Sequence, residues 1–314
     1  MSQRVLPVSL LTGALLAAMT AASIGPAAAQ GDPVGGEGNV YFLSGAYNPD
    51  GQAQAVFAFG DARDEIYFGD WYGAGVDLPL VRRGNTFHVP DAEDPSLTAD
   101  VFSYGDAGDD VLVGDWDGDG VDSLAVRRGN EFFIKNDNQV SGVADRTLRY
   151  GDPGDRVLVG NWYGGLISPT TDPRGYGKGD SLMVQRGNRF FVRTDLTTGP
   201  AHFSFLYGDP GDDVLVGNWP LATEYGYLSA DQGDQLAVRR GNHYFMSSEV
   251  AGLSRTGGGN PTTTQELYYG EPDDDVFVAR LPTALDIEGA VTYDADQVDK
   301  LIEGDGLGVR RQAS

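Results

Sequence analysis

Three carboxylates at alternate positions give residues 115–122 the chemistry of a cation-binding loop. Asp115, Asp117 and Asp119 occupy positions 1, 3 and 5 of this loop, with glycine at positions 4 and 6. Glycine permits the tight curl that aims alternate carboxylates at one centre. A hard cation such as Ca²⁺ takes about seven oxygen ligands of this kind. The alternative is an acidic hairpin turn in which Asp and Gly serve turn geometry alone.

Two further residues complete the predicted ligand set. The backbone carbonyl of Val121, at position 7, and the carboxylate of Asp122, at position 8, are the remaining candidates. An EF-hand would also need a glutamate at position 12, where this chain has Val126, and flanking helices. The flanking runs are short and β-branched, so we predict one Ca²⁺ site in a loop between β-strands.

The acidic loop lies in one copy of a worn repeat. An aromatic-Gly-acidic element recurs with its glycines 45, 46, 57 and 62 residues apart, at Gly60, Gly105, Gly151, Gly208 and Gly270. Each element is followed by an apolar run, by a second run ending in basic residues, and in four copies by an aromatic run. Short strands at such a period are typical of β-propeller blades.

The phase of the repeat predicts how the ends of the chain meet. We label the strands of one repeat A (residues 110–116), B (Ser123–Arg128), C (Glu131–Lys135) and D (residues 147–150). The chain begins with strands C and D and finishes with A and B. We therefore predict an all-β, five-bladed propeller over residues 38–311, closed by pairing the N-terminal and C-terminal strands, because closure removes exposed sheet edges. An open β solenoid is the alternative.

The remaining segments and the composition limit the possible functions. Residues 1–29 read as a signal peptide, with an apolar run and an A-x-A site ending at Ala29, so we expect a secreted protein with residues 30–37 as a short linker and 312–314 as a tail. The chain has no cysteine, and its formal charge of −24 disfavours nucleic acid and anionic membranes. No later run is long enough to span a membrane, and we expect a monomer.

The repeat resembles the FG-GAP/VCBS family, in its secreted actinobacterial form. The resemblance rests on the aromatic-Gly element, the V-x-V-G-D-x-D-G-D-G-x-x-D loop and the following apolar run with its RRGN end. The resemblance implies a β-propeller that carries calcium in a blade loop. We number the copies of the repeat as blades 1 to 5, so that residues 115–122 belong to blade 2. Only blade 2 keeps all the acids of the loop. The loop of blade 1 lacks the acids at positions 3 and 5, and position 1 of the loop is Asn161 in blade 3, Asn218 in blade 4 and Ala279 in blade 5.

Several residue types recur at equivalent positions and are predicted to be structural. Aspartates precede strand B whether or not the acidic loop is kept: Asp77, Asp122, Asp180, Asp234 and Asp305. They are expected to cap turn amides. We also expect the arginines Arg83, Arg128, Arg186 and Arg240 to pair with the D–A turn aspartates Asp64, Asp109, Asp155, Asp212 and Asp274, with a ligand-binding arginine set as the alternative.

Aromatic residues form two groups. Trp71, Trp116, Trp162 and Trp219 end strand A in four blades and are predicted to pack between blades, the alternative being platforms that stack on sugars. The A–B loops of blades 3, 4 and 5 are long, and their tyrosines are candidate ligand-binding residues: Tyr163, Tyr176, Tyr225, Tyr227 and Tyr293.

These features favour a non-catalytic binding or adhesion module whose partner is an extracellular glycan or protein. The three histidines are scattered, no cysteine nucleophile exists and no phosphate loop is found. Acids alone could hydrolyse glycosides with two carboxylates about 5–10 Å apart, so a five-bladed glycoside hydrolase is one alternative. A purely structural extracellular protein is the other.

Overall fold

The computed structural model describes residue 34 and residues 38–44, 55–92, 97–137, 140–162, 179–219, 222–223, 226–227, 233–248, 250, 253, 259–280 and 305–311. The predicted signal peptide and C-terminal tail lie outside these residues.

The described strands form four-stranded antiparallel sheets in a propeller-like arrangement. Strands β1 (Val40–Ser44) and β2 (Ala55–Ala58) come first, and the next sheet, blade 1, contains β3 (Glu65–Gly69), β4 (Leu78–Arg83), β5 (Thr86–Pro90) and β6 (Thr98–Ser103). Blade 2 contains β7 (Asp110–Gly114), β8 (Ser123–Arg128), β9 (Glu131–Lys135) and β10 (Arg146–Arg149). Blade 3 contains β11 (Arg156–Gly160), β12 (Ser181–Arg186), β13 (Arg189–Val192) and β14 (Phe203–Leu206).

The later strands complete two more sheets. Blade 4 contains β15 (Asp213–Gly217), β18 (Gln235–Arg240), β19 (His243–Ser247) and β20 (Thr263–Tyr268), and its A–B connection carries the hairpin of β16 (Ala222–Thr223) and β17 (Gly226–Tyr227). Strands β21 (Asp275–Arg280) and β22 (Asp305–Arg311) join β1 and β2 in the order β2-β1-β22-β21, and we call this sheet blade 5. In it, Phe42 of β1 lies opposite Val309 of β22.

Burial explains why the strands differ in composition. Strand A is apolar on both faces: β7 reads DVLVG and is buried after its first residue. The outer strand β10 reads RTLR and buries only Leu148. Each hairpin between strands B and C turns in two residues, and Gly129, at φ 65°, occupies the first turn position in blade 2.

The core lies between blades rather than within them. One buried cluster joins Leu112, Trp116 and Phe132 of blade 2 to Val157 and Leu182 of blade 3. The first strands of the sheets contact one another in succession, β3 with β7, β7 with β11, β11 with β15, β15 with β21, and β21 with β3. The strand A edges therefore face the centre and the strand D edges face outward.

The outer edges are covered by side chains from the following blade. The amide of Ser103, at the end of β6, donates to Ser141 Oγ of blade 2 (2.9 Å). The equivalent amides of Arg149 and Leu206 donate to Thr198 of blade 3 and Asn260 of blade 4. These contacts occupy donors of edge strands that would otherwise be open to pairing with another chain.

The predicted linker is not free of the fold. Val34 lies within residues 30–37, yet it is only 5% exposed and forms an antiparallel bridge with Ile66 of β3. Val34 therefore contacts the fold from within the predicted linker, and the bounds of the linker stay a prediction.

Candidate metal site and the contacts that position it

The acidic loop is held by hydrogen bonds to its first residue. The Asp115 carboxylate accepts the amides of Gly118 (2.7 Å), Asp119 (3.1 Å) and Gly120 (3.0 Å). The Asp119 carboxylate accepts the amide of Val121 (2.8 Å). Gly118 and Gly120 have φ values of 74° and 89°, which favour glycine at both positions. The sequence curls here because a side chain replaces the missing partners of the loop amides.

Three of the predicted ligands come together. Among the described residues, Asp115, Asp117 and Asp119 form the one acidic cluster in which one carboxylate oxygen of each residue lies within 4.8 Å of the others. Oxygens on opposite sides of a calcium ion lie about 5 Å apart, since each is about 2.4 Å from the ion. The three side chains fit a Ca²⁺ ion by distance and by donor type.

The electrostatics of the cluster favour a cation. Burial raises the pKa of Asp115, the three loop amides oppose that shift, and the nearby Asp119 carboxylate raises the pKa further. The ionised form of Asp115 is therefore destabilised without a counter-ion. A divalent cation would offset both the desolvation and the repulsion.

Asp122 lies outside this cluster, and its role as a metal ligand stays a prediction. Its Oδ2 accepts the backbone amide of Asp70 in blade 1 (2.7 Å), and its own amide donates to the Asp70 carbonyl (2.9 Å). The spacing of the loop predicts Asp122 as a fourth acidic ligand, whereas its carboxylate accepts a backbone amide of the neighbouring blade. The role of the Val121 carbonyl stays a prediction.

The Asp122 contact recurs at each boundary where both partners are described. Asp77 accepts the amide of Arg280 (2.7 Å), Asp180 that of Asp115 (2.9 Å) and Asp234 that of Asn161 (2.6 Å). These aspartates were predicted to cap turn amides. They do accept amides, but each amide belongs to the preceding blade: Arg280 is the last residue of its strand A, and Asp70, Asp115 and Asn161 directly follow theirs. We call these contacts the interblade clasps; the side chain of Asp305 lies outside the described part of the chain.

Burial and mutual repulsion act on the clasp carboxylates. Desolvation raises the pKa of Asp122 to about 7, with Asp115 and Asp70 adding repulsion and the Asp70 amide opposing it. The pKa of Asp180 is also raised, first by burial and then by the charges of Asp234 and Asp122. The clasp residues therefore lie close enough to sense one another's charge.

The predicted arginine–aspartate pairs lie on the opposite face. Arg128 Nε donates to Asp109 Oδ1 (2.6 Å), and its Nη2 bonds Asp106 and Asp109 (both 2.7 Å). The same bidentate pairing links Arg83 to Asp64, Arg186 to Asp155 and Arg240 to Asp212. The arginine hydrogen bond lowers the pKa of Asp109, Asp155 and Asp212.

The paired aspartates also cap their own turns. Asp109 accepts the amide of Asp106 (2.8 Å), and Asp274 accepts the amide of Glu271 (2.8 Å). Because each arginine pairs within its own blade, these contacts fix the B–C turn against the D–A turn rather than joining blades. The repeat predicted the residues that form these arginine–aspartate pairs, and the same aspartates cap the turns.

Sequence reasoning missed the first arginine of each Arg-Arg pair. Arg127 is buried and donates to the carbonyls of Asp155 (2.8 Å) and Asp152 (3.3 Å) in the next blade. Arg82 reaches Asp106 and Arg239 reaches Asp274 in the same way. Neighbouring residues of a strand point to opposite faces, so two consecutive arginines cannot both bond the same blade in the same way. The Arg-Arg pair was therefore the available signal: the second arginine bonds its own blade, and the first bonds the next blade.

The tyrosine of the aromatic-Gly element was also missed. Tyr104 donates its hydroxyl to the carbonyl of Phe133 in the next blade (2.8 Å). Tyr150, Tyr207 and Tyr269 make the same bond to Phe191, Phe245 and Phe42. A phenol at a repeated, buried position needs a partner for its hydroxyl, which was the available signal.

All four tryptophans are buried, with exposed fractions of 0–4%. The indoles of Trp71, Trp116 and Trp162 donate to the carbonyls of Leu78, Ser123 and Ser181. Their burial in the interblade clusters agrees with predicted packing and rules out stacking of a sugar on any of them.

The long loops are described only in part. Tyr227 lies in β17, whereas Tyr163, Tyr176, Tyr225 and Tyr293 lie outside the described residues. The three histidines do not meet. His202 Nδ1 contacts Thr194 Oγ1 (2.9 Å), but Thr194 is only 4% exposed and so presents no accessible nucleophile; His243 pairs with Glu266 (2.9 Å).

Comparisons with known proteins return a distant structural likeness. No family model matches the chain, and no curated protein matches it significantly. Among solved structures, the chain is similar to the crystal structure of BBS1N in complex with ARL6DN, soaked with lead, at 12% identity and a TM-score of 0.33. The match covers 70% of this chain and 65% of that chain. Within the described residues, no helix combines the length and apolar character needed to cross a membrane.

Proposed function

We propose that the four-stranded sheets are the five blades of one closed ring of the FG-GAP/VCBS type. Two observations support this. β1 pairs with β22, so blade 5 takes strands from both ends of the chain. Asp77 of blade 1 clasps Arg280 of blade 5 with the same geometry as the other boundaries. A ring joined in this way needs no disulfide, in keeping with the lack of cysteine.

We further propose a secreted, non-catalytic module that binds an extracellular glycan or protein and carries one calcium ion. The observation that carries this proposal is the Asp115, Asp117 and Asp119 cluster. Its three carboxylates would hold the ion, which would supply charge and rigidity rather than a reaction step. The acids that could serve a glycosidase, such as Asp122 and Asp180, are engaged by backbone amides, which supports a structural use.

The calcium loop is coupled to the blade that carries a long A–B connection. The Asp115 carbonyl accepts the Asp180 amide (2.6 Å), and the Asp180 carboxylate returns a bond to the Asp115 amide (2.9 Å). A Cβ added at Gly179 would lie 2.2 Å from the Asp115 carbonyl, so only glycine fits. Residue 179 ends the long connection of blade 3, and calcium would therefore brace the base of a candidate recognition loop.

Calcium titration of the secreted protein tests the metal. We expect one bound ion by calorimetry and a Tm about 5 °C higher in calcium than in chelator, which corresponds to about 2.7 kcal/mol at a hundredfold excess over Kd. Asp119→Ala removes both effects. Asp106→Ala changes a carboxylate that is 78% exposed on the opposite face and leaves both unchanged. Equal melting in calcium and chelator means that the loop is only a turn.

A glycan array probed with and without chelator tests recognition. Binding that chelator abolishes supports a calcium-ordered glycan site, and binding that persists in chelator places the site away from residues 115–122. Binding to no sugar favours a protein partner or a structural role. Hydrolysis of an arabinan or fructan would overturn the non-catalytic proposal, and a carboxylate-to-amide scan of the clasps would then locate the acids.

A further inference from the structure

The outer corner of blade 4 carries a stack of rings. Tyr268 ends β20, the outermost strand of the blade, and lies opposite His243 of β19. The two rings are nearly parallel, with centroids 4.2 Å apart and an interplanar angle of 14°. His243 also contacts Phe245 (4.1 Å between centroids), and the Arg240 guanidinium lies over the Phe245 ring (5.1 Å). Tyr268 is therefore the outer end of a stack that continues inward across the sheet.

Tyr268 offers an aromatic surface to solvent. It is the most exposed aromatic residue among the described side chains, at 62% of its surface. One face of its ring rests on His243, so the opposite face is the one that a ligand can cover. The stack holds the ring in one orientation, and little side-chain freedom is lost when a ligand binds it. The tryptophans that end strand A are buried and offer no such surface.

A carboxylate lies beside the exposed ring. Glu266 is two residues before Tyr268, on the same face of β20, and its side chain is 53% exposed. Glu266 Oε2 bonds His243 Nε2 (2.9 Å), which ties the carboxylate to the ring behind Tyr268. An ionised carboxylate can accept about four hydrogen bonds, so Glu266 can also accept a hydroxyl from a ligand.

The same corner is filled differently in each of the other blades. The equivalent cross-strand pair is Thr86 with Ser103 in blade 1, Glu131 with Arg149 in blade 2, Arg189 with Leu206 in blade 3 and Val40 with Ala58 in blade 5. The fold accepts hydroxyl, charged and aliphatic pairs at this position. Blade architecture therefore does not require the aromatic stack of blade 4.

The arrangement suits a pyranose ring. A pyranose such as β-glucose presents C–H groups across its face and hydroxyls around its rim. The positively polarised hydrogens of the C–H groups pack against the negative face of an aromatic ring, and a rim hydroxyl donates strongly to a carboxylate. An alkylammonium ligand is favoured instead by several aromatic faces around it, whereas this corner presents one face.

We propose that Tyr268 is the stacking platform of a carbohydrate site at the outer corner of blade 4, and that this site takes a pyranose with C–H groups across one face. Glu266 accepts a hydroxyl of the sugar, and His243 is a positioning residue that supports the platform from behind. The proposal rests on the proposed function as a glycan-binding module. It does not depend on the calcium loop, which lies in blade 2.

Saturation-transfer NMR of the secreted protein in chelator tests the platform with three probes: cellohexaose, chitohexaose and lactose. We expect at least one probe to bind, with saturation reaching the C–H protons of one sugar face. Tyr268→Ala should weaken that binding by about tenfold or more, because the ring supplies the central contact. Tyr268→Phe keeps the ring and should bind within about threefold of the parent chain.

A variant that copies blade 2 removes the platform and still fills the corner. His243→Glu with Tyr268→Arg reproduces the salt bridge between Glu131 and Arg149, and we expect an unchanged Tm together with loss of probe binding. Leu206→Ala is the matched control, because it changes the equivalent position of blade 3, which is 38% exposed. This control should bind the probe as the parent chain does.

The outcomes separate the platform from the module. Equal binding by the parent chain, Tyr268→Ala and the double variant overturns the platform and leaves the binding module with its site elsewhere. Binding that occurs in calcium but not in chelator assigns the sugar to the calcium loop and also overturns the platform. Binding of the parent chain to none of the three probes overturns the platform as well, and the glycan array then tests the module by itself.

Discussion

The loops that follow β3 and β7 have the same hydrogen-bonded skeleton. In blade 1 the Asp70 carboxylate accepts the amides of Ala74 (2.8 Å) and Gly75 (2.6 Å), much as Asp115 accepts three amides in blade 2. Each loop is then clasped by the next blade, Asp70 by Asp122 and Asp115 by Asp180. The curl of the loop therefore does not depend on the acids at positions 3 and 5.

The two loops differ in what those positions do. Position 3 is Tyr72 in blade 1, and its hydroxyl donates to the Pro90 carbonyl at the end of strand C (2.7 Å). Position 3 is Asp117 in blade 2, and its carboxylate accepts the Asn136 side chain from the same region (2.8 Å). Both residues tie the loop to strand C, but only Asp117 adds a charge. The hydrogen bonds of the loop do not explain why Asp117 and Asp119 add two negative charges at positions 3 and 5 of blade 2.

The largest effect should come from Asp122, the residue that joins the two loops. Its folded-state pKa of about 7 lies above the ordinary 3.8, so the folded protein binds the Asp122 proton more tightly than the unfolded chain does. The resulting stabilisation of the folded protein is complete below about pH 4. It is lost as pH rises through 7, and the shift corresponds to about 4 kcal/mol. We expect the free energy of unfolding in chelator to fall between pH 4 and 7.5.

Asp122→Asn provides the control for that pH dependence. The amide oxygen still accepts the Asp70 amide, but the side chain no longer titrates. Denaturant unfolding of the variant should show a flatter profile between pH 4 and 7.5 than the parent chain. A profile of equal slope would contradict the assignment of this window to Asp122.

Converting the blade 2 loop to the blade 1 pattern should produce the next largest effect. Asp117→Tyr with Asp119→Ala removes two ligands and keeps the skeleton on Asp115. In calcium we expect a loss of about 2.7 kcal/mol, the whole of the metal contribution. In chelator the variant should match the parent chain within about 1 kcal/mol, because the acids repel one another. A large loss in chelator would show that the acids support the fold itself.

The repeat predicted most of one blade, and the errors lie at its boundaries. The all-β, propeller-like arrangement of four-stranded sheets is confirmed, and strands B and C of blade 2 have the predicted bounds. Strand A ends at Gly114, two residues early, because Asp115 already belongs to the loop. Apolar runs and turn glycines are local signals, and they define strands well.

Contacts between blades could not be read from the repeat. Asp122 and Arg127 occupy positions whose residue types were noted, yet their partners Asp70 and Asp155 belong to other copies. A periodic pattern shows which residues recur, but it does not show whether a recurring side chain bonds its own blade or its neighbour. The burial of Val34 was hidden for a related reason: a single apolar residue has no period.

Grafting the acids into blade 1 reverses the comparison and should have a smaller effect. Tyr72→Asp with Ala74→Asp places carboxylates at positions 3 and 5 of a loop that already has Asp70. We expect a second calcium ion by calorimetry, with a net gain of about 1–2 kcal/mol in calcium, because the lost Tyr72 bond costs about 1 kcal/mol. Tyr72→Asn with Ala74→Asn is the uncharged control. A stoichiometry that stays at one would mean that blade 2 supplies more than its acids.

The smallest effect should come from Asn136, which touches Asp117 but no other residue of the acidic cluster in the described contacts. The Asn136 side chain donates to the Asp117 carboxylate and orients it, and the Asn136 backbone amide donates to the Asp145 carboxylate (3.0 Å). Asn136→Ala should weaken calcium binding by about threefold to tenfold, since an outer partner orients a ligand without contacting the ion. The melting temperature in chelator should stay constant, because this bond is exposed. Asn136→Asp, which sets a like charge against Asp117, should weaken binding more than alanine does. If both variants bind calcium as the parent does, Asp117 is positioned by the loop alone, and the tie to strand C in the two blades is a matter of packing.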